Sequence, residues 1–538
     1  MKIMPSQSLA GGIEIHDQTL SSTSQDRRRS KRLMATVCAS DSVHESTDLL
    51  FEETDKMPRH LGGDTHSDPD TQVGDSSEDD TASVKIRLEK LDFLLSSTHK
   101  DESVEDMRVN EDSTSIQHAP LLNAIIISKN TQHLLPQYGL LGSYDDEARR
   151  SMSKLLLNTN VPFSMFICGV QGSGKSHTTS CVLENALVPS PHLGKLPNPL
   201  SALVFSYAPF SGDGIGFTIS EAAFLASPNP GSPVGAHVKH VRVLVAPSNF
   251  ARISKLYLKL PNISVTPFKI RSRDLDIDVM LTLMNVSASD ETPLYMAQVM
   301  QILREMSTAG GAFDYRAFKK QLKKKRFNPT QSNMLQMRLD LLESFLDITD
   351  NCPEPHFGPG EITIIDMSCP FVDANTACIL FGIGLKLYLQ TEGTGKMIVL
   401  DEAHKYMLDA PGAKALNEML LSTIRLQRHY GARVVISTQE PTLLTDLIAL
   451  CSITVIHRFS SPTWLSAIRR HIPTAADDRD TLMPRIERLT TGKAIVYSPN
   501  AVLGYDESGS LVMGTSKMIN VNIRKRLTKD GGQSVLAV

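Results

Sequence analysis

The run FICGVQGSGKSHTT, Phe166 to Thr179, constrains the fold of this chain more than any other stretch. It fits the pattern G-x-x-x-x-G-K-[ST] at Gly169, Gly174, Lys175 and Ser176. An apolar segment of strand length precedes it and a helix-compatible segment comes after, so the motif stands in its proper setting. Glycines let successive backbone N–H groups turn inward around phosphate oxygens, and the next helix offers its positive N-terminus. The loop predicts a nucleotide-phosphate site made of Gly169, Val170, Gln171, Gly172, Ser173, Gly174, Lys175, Ser176 and His177. Lys175 is expected to reach the β- and γ-phosphates of ATP, and Ser176 to ligate Mg²⁺. Nothing in the sequence demands a catalytic part for Cys168 or His177.

A magnesium site of this kind needs a second carboxylate, and KMIVLDEAHKYM, Lys396 to Met407, supplies it. Four apolar residues lead into Asp401 and Glu402, as expected where a buried strand ends in an acidic pair. Asp401 would hold the metal through its water shell, and Glu402 would orient and deprotonate an attacking water. The letters D-E-A-H also name a class of helicases that resemble a tandem of two RecA-like domains. Their arginine-rich second motif lies in the second domain. Here the superficially similar LQRHYGARV brings Arg428 only 27 residues past Asp401, and about 137 residues follow Asp401 altogether. That is too little chain for a second domain, so the helicase layout is excluded.

Beyond the acidic pair, the stretch IRLQRHYGARVVISTQEPTLLTDLIALCSITVIHRFSSPTWL resembles the C-terminal half of the HerA–FtsK superfamily of pumping ATPases. In that superfamily an arginine-bearing helix leads into a strand ending in T-Q-x-P, and a later strand ends in an arginine. The resemblance covers roughly residues 120–505, with its specific matches confined to 169–177 and 397–461. It implies that Gln439 is a polar sensor of γ-phosphate or the lytic water. It implies also that Arg428 and Arg458 match family arginines able to act on a neighbouring subunit's nucleotide. Glu440 departs from the basic or small residue common in the relatives. The resemblance further implies a homo-oligomer, a hexameric ring, working on double-stranded DNA. The alternative kept open is a nucleotide-dependent switch or scaffold acting on a protein partner, with a non-hydrolysing scaffold a third reading that Glu402 opposes.

Along the chain, short apolar runs alternate with helical patterns, and many of the runs read as buried on both faces. The expected fold is therefore α/β: a RecA-like P-loop domain with a mainly parallel central sheet, a large mostly helical insertion and a disordered N-terminal arm. The expected boundaries are an acidic, Ser-rich arm over 1–118, the first part of the ATPase domain over 119–207, the insertion over 208–360, the second part over 361–505 and a C-terminal tail over 506–538. SYDDEARRSMSKLLLN, from Ser143, is read as a helix with Ser143 as its N-cap. Asp366, closing ITIID, is either a site-edge carboxylate or a strand cap.

The arm carries 13 Lys and Arg against 24 Asp and Glu, while the remainder of the chain is net positive by 7. Too few apolar residues stand there to offset the entropy of ordering it. Within it, Arg27–Arg32 (RRRSKR) is a nuclear-import or phosphate-binding run, or simply a solvated one. Val84 to Leu95 has heptad-like spacing, too short for an independent coiled coil, and reads either as a helix that docks to a protein partner or as only a transient one. In the body, KKQLKKKRF, Lys319 to Phe327, is the densest basic run and reads either as a phosphate-binding surface or as the exposed face of an amphipathic helix starting near DYRAF. Seven scattered cysteines without a C-x-x-C pair point to a reducing compartment, hence an intracellular protein of cytoplasm or nucleus. The longest apolar run, ACILFGIGLKLYL, contains Lys386 and falls short of the roughly twenty residues of a membrane span.

Overall fold

A computed structural model describes residues 104–531, apart from short internal stretches at 128–130, 147–150, 210–218, 272–274, 276, 278–279, 281–293, 310–312, 348–355, 394 and 473–480. The basic run Arg27–Arg32 and the heptad-like Val84–Leu95 lie outside the described residues. The unit from Ser97 to Val538 is built on one mixed sheet of sixteen strands.

Eight neighbouring strands of this sheet are all parallel. In spatial order they are Ile453–Ile456, Ser164–Cys168, Ala432–Thr438, Lys396–Leu400, Ser201–Ser206, Glu361–Asp366, His240–Val245 and Ile263–Pro267. Their residues alternate between two separate apolar clusters. Phe166, Leu203, Phe205, Ile398, Leu400, Val434 and Ile436 join one; Met165, Ile167, Val204, Met397, Val399 and Val435 join the other. Both faces are thus covered, which is why these strands are written as unbroken apolar runs rather than alternating ones. The fold is a RecA-like P-loop α/β domain.

The apolar run ACILFGIGLKLYL lies in the helix Ala374–Leu389, which is buried through most of its length. Phe381 stacks on Phe205 with ring centroids 4.7 Å apart and meets Tyr406 edge-on at 5.0 Å. It is a core helix, and none of the described helices is long and apolar enough to cross a membrane.

Three expectations change. The segment read as a helix from Ser143 forms two antiparallel strands, Tyr138–Asp146 and Ser151–Leu157. Its leucine run Leu155–Leu157 is buried throughout, with Leu156 opposite Leu122 on one neighbouring strand and Leu140 on the other. A three-residue apolar run fits either element by periodicity, and here the flanking strands decided. Second, the stretch 208–360 is helical only in part. His240–Val245 and Ile263–Pro267 extend the parallel sheet. The helices Leu294–Ala309, Tyr315–Lys324 and Pro329–Phe345 come next in the chain and pack into the cluster that holds Phe166 and Phe205. Third, a helix runs from Val104 to His118, inside the stretch 1–118 read as a disordered arm. Its Ile116 packs with Leu122, Ile126, Leu135 and Val502.

Residues 506–531 are likewise integrated. Met518–Ile523 pairs with both Lys493–Tyr497 and Tyr138–Asp146, so the chain returns to the side of the phosphate-loop strand. The basic run begins as the sequence suggested, on a helix capped by Asp314, whose carboxylate accepts from the backbone of Arg316 and Ala317. That helix buries Tyr315, Phe318 and Leu322 and exposes Lys320, Lys323 and Lys324.

Candidate active site

Three parallel strands set the site. Ala432–Thr438 lies between Ser164–Cys168 and Lys396–Leu400, with Thr438 in register with Cys168 and Ile436 with Leu400. Gly169, Gln439 and Asp401 therefore leave one edge of the sheet side by side. They open onto a cleft of about 590 Å³ whose walls include Gly174, Lys175, Ser176, Asp401, Glu402 and Gln439.

The phosphate loop depends on glycine where the sequence suggested. Gly169, Gly172 and Gly174 have φ of 152°, 72° and 111°, a region that side chains rarely enter. The helix Lys175–Leu187 begins directly after Gly174, so its first N–H groups face the cleft. Lys175 is 3% exposed; its Nζ donates to the Val170 carbonyl at 3.2 Å and stands 3.7 Å from Glu402 Oε1. Burial pulls its pKa down, against the pull of Glu402 and Asp401. Cys168, beneath the loop, is buried and its thiol is pushed up to about 12, so it is chemically inert there.

Glu402 sits at φ 48°, ψ 46°, a left-handed conformation unusual for a residue with a side chain. Such conformations persist only where surroundings enforce them, and they gather at functional sites. Its carboxylate is held from three sides: Gln439 Nε2 donates to Oε2 at 2.8 Å, His404 Nε2 stands 3.4 Å from the same oxygen, and Lys175 stands near the other. The Gln439 backbone N–H donates to His404 Nδ1 at 3.3 Å. His404, with no part expected from its motif, thus ties the acidic turn to the glutamine strand. Burial lowers its pKa, which favours the neutral acceptor this bond requires.

Ser176 and Asp401 border a small cavity of about 10 Å³, room for one water-sized atom. Asp401 Oδ1 is buried with no hydrogen-bond partner among the described residues. Burial first, then the neighbouring Glu402 charge, raises the Asp401 pKa to about 7. A hydroxyl and a carboxylate beside a phosphate loop form the oxygen donor set that Mg²⁺ takes, alongside phosphate oxygens and water. The residues present fit that ion.

Other side chains found by the structure have no motif to announce them. Glu221 joins Asp401 around the small cavity and lies 3.6 Å from Arg526. Asp530 lines the main cleft, and His177 Nε2 bonds the Arg524 carbonyl at 2.9 Å. His457, 0% exposed, lies under the phosphate loop. Along the sequence it is marked only as the neighbour of Arg458.

Two predicted residues stay outside the cleft. Arg428 is exposed on the short helix Gln427–Tyr430, at the far end of the Ala432–Thr438 strand, roughly 20 Å from the loop by strand rise. Arg458 is exposed beside the loop, and only its backbone carbonyl takes part, accepting from Val170 N–H at 3.0 Å. Neither guanidinium reaches this chain's own cleft. Asp366 is settled as a structural cap: it is 1% exposed and accepts from Tyr257 Oη at 2.6 Å and Ser368 N–H at 2.9 Å.

No protein-family model matches the chain, and no curated protein matches it in sequence. Solved structures similar to it include VirB4 of Thermoanaerobacter pseudethanolicus, at 12% identity and a TM-score of 0.45, covering 72% of this chain and 96% of that one. The plasmid coupling protein TrwB, in complex with the non-hydrolysable GTP analogue GDPNP, is similar at 13% identity and a TM-score of 0.37, covering 69% and 87%. The genome packaging NTPase B204 of Sulfolobus turreted icosahedral virus 2, with ATP-gammaS, gives 9% identity and a TM-score of 0.26 over 66% and 96%. By strand order and loop geometry this chain has the RecA-like P-loop fold.

Proposed function

We propose that this chain binds ATP with Mg²⁺ and hydrolyses it, and that an oligomer of it couples the cycle to moving or remodelling duplex DNA. The observation that carries the ATPase reading is the convergence of Lys175, Glu402 and Gln439 on one cleft at the mouth of a glycine loop. Loop N–H groups and Lys175 bind the phosphates. Glu402 takes the proton of the attacking water, and Gln439 fixes both the carboxylate and the water through an amide that donates and accepts. Ser176 and Asp401 would hold magnesium, which neutralises phosphate charge when bound. Arg428 and Arg458 lie outside their own chain's cleft, so either one is assigned to a neighbouring subunit's nucleotide. The assembly that places it there is a homo-oligomer, a hexameric ring like those of the resembled family. The compartment is intracellular, cytoplasm or nucleus, and the N-terminal arm engages a protein partner.

Support for a polyanionic substrate comes from the helix Tyr315–Lys324 and the residues after it. Arg316, Lys320, Lys323, Lys324 and Arg326 line this stretch, while Lys319 is held by Glu343. The apolar face of this helix is buried, so it has none to insert into a membrane, and its outward charge suits a phosphate backbone.

The test is ATP turnover and assembly state, measured with and without duplex DNA across a salt series. Stimulation by DNA that fades with salt is the expected result, and Lys320→Glu with Lys323→Glu should lower the salt slope by about two. A monomer whose turnover ignores DNA at low salt would overturn the motor reading and leave a nucleotide switch acting on a protein partner.

A further inference from the structure

Beneath the phosphate loop His457 packs against the backbone at Gly169 and Gly174. A side chain at Gly169 would put its Cβ 2.7 Å from His457 Cβ, and one at Gly174 would lie 3.4 Å from the ring atoms Cε1 and Nδ1. At the ring's other end, Nε2 shares a hydrogen bond of 2.9 Å with Thr178 Oγ1, on the first turn of the loop's helix. The backbone is joined as well: His457 N–H donates to Cys168 O at 2.8 Å, and Val170 N–H donates to Arg458 O at 3.0 Å. One residue therefore touches the start of the loop, its end and the helix beyond it.

We propose that His457 is a positioning residue that holds the phosphate loop in the shape that receives nucleotide. The inference rests on the reading of this cleft as an ATP site and adds a residue that no motif contains. His457 carries its Cβ under Gly169 and its ring under Gly174, and Nε2 satisfies the hydroxyl of Thr178, a residue 0% exposed. Losing either the imidazole or the hydroxyl leaves its partner unpaired in a buried place and cuts the tie between the end of the Ile453–Ile456 strand and the loop's helix. The first turn of that helix, whose N–H groups face the phosphates, is then held less firmly. The ring acts on binding, since it lies under the loop while Glu402 and Gln439 lie across the cleft.

Three variants test this: His457→Ala, His457→Gln and Thr178→Val, the last isosteric and without the hydroxyl. ATP affinity is measured by calorimetry, turnover at saturating ATP, and thermal unfolding without nucleotide as the control for folding. Expected are about tenfold weaker ATP binding in the alanine and valine variants, from one buried hydrogen bond lost. Their kcat should stay within about threefold of wild type, a split that places the defect in binding. The glutamine variant should recover affinity to within about threefold, since its amide reaches the Thr178 hydroxyl. Wild-type affinity in Thr178→Val, or a glutamine variant as weak as alanine, overturns the proposal. If the alanine protein does not fold, the other two variants still decide. Failure of the wild-type protein to bind ATP would instead overturn the nucleotide reading on which the proposal rests.

Discussion

Gln439 Nε2 donates a hydrogen bond of 2.8 Å to Glu402 Oε2 across the gap between two parallel strands. The two residues are 37 positions apart in the chain, and the bond joins the end of one strand to the acidic turn of the next. It fixes the carboxylate that would deprotonate water. Gln439→Ala should therefore lower turnover by about tenfold to a hundredfold while leaving ATP affinity within about threefold, checked by steady-state kinetics and calorimetry side by side.

Removing the proposed base, Glu402, should separate binding from chemistry more sharply. Glu402→Gln keeps the shape and the bond-forming capacity of the turn but cannot take a proton. Turnover should fall by at least about a hundredfold with nucleotide binding retained. Wild-type turnover in this variant would mean that another group is the base.

Lys175 makes a different prediction, because its buried ammonium is the charge that the loop itself offers to phosphate. Lys175→Ala should weaken ATP binding by about a hundredfold or more, with the apo protein still folded by its circular dichroism and unfolding curve.

His457 carries a pH signature. Burial first, then Lys175, lowers its pKa to about 4, from 6.5 in the unfolded chain. Above pH 6.5 the ring is neutral in both states and stability does not depend on it. Between 6.5 and 4 the unfolded chain takes up a proton that the folded one refuses, so stability falls as the pH drops, by about 3 kcal/mol in total. Lys175 and His177 are the charged or titrating side chains that oppose protonation. Comparing unfolding midpoints from about pH 4 to 8 should show that His457→Gln loses this slope.

Glu184 anchors the end of the described chain to the phosphate-loop helix. It is 0% exposed, pairs with Arg524 Nη1 at 2.6 Å, and accepts from the Thr528 backbone N–H at 2.8 Å and from the Leu527 N–H at 3.0 Å. Glu184→Ala leaves a buried guanidinium and two backbone donors without this acceptor. Unfolding stability should drop by about 3–5 kcal/mol, read by denaturant titration.

Much of this was legible from residues alone. Gly169 to Ser176 and Asp401–Glu402 could be read because their chemistry is local: a loop that wraps phosphate needs its glycines and lysine at fixed spacing, and a metal carboxylate needs the end of a buried strand. The parallel sheet was legible for a similar reason, since strands covered on both faces must be apolar at every position. Asp366 was ambiguous because a carboxylate ending a strand serves a site or a cap equally well. Only Tyr257, 109 residues away, settled it.

Sequence by itself thus determined a P-loop α/β fold with an acidic pair following a buried strand. Tertiary structure alone decided which side chains meet there. The hairpin at Tyr138–Leu157 replaced an expected helix because the neighbouring strands, not local periodicity, supplied its partners. His404 and His457 acquired their places from strands distant in sequence, and Arg428 and Arg458 were excluded from their own cleft by the lengths and ends of the strands that carry them. Spacing along the chain records what one segment needs, whereas contacts across a sheet depend on register, which no single segment contains.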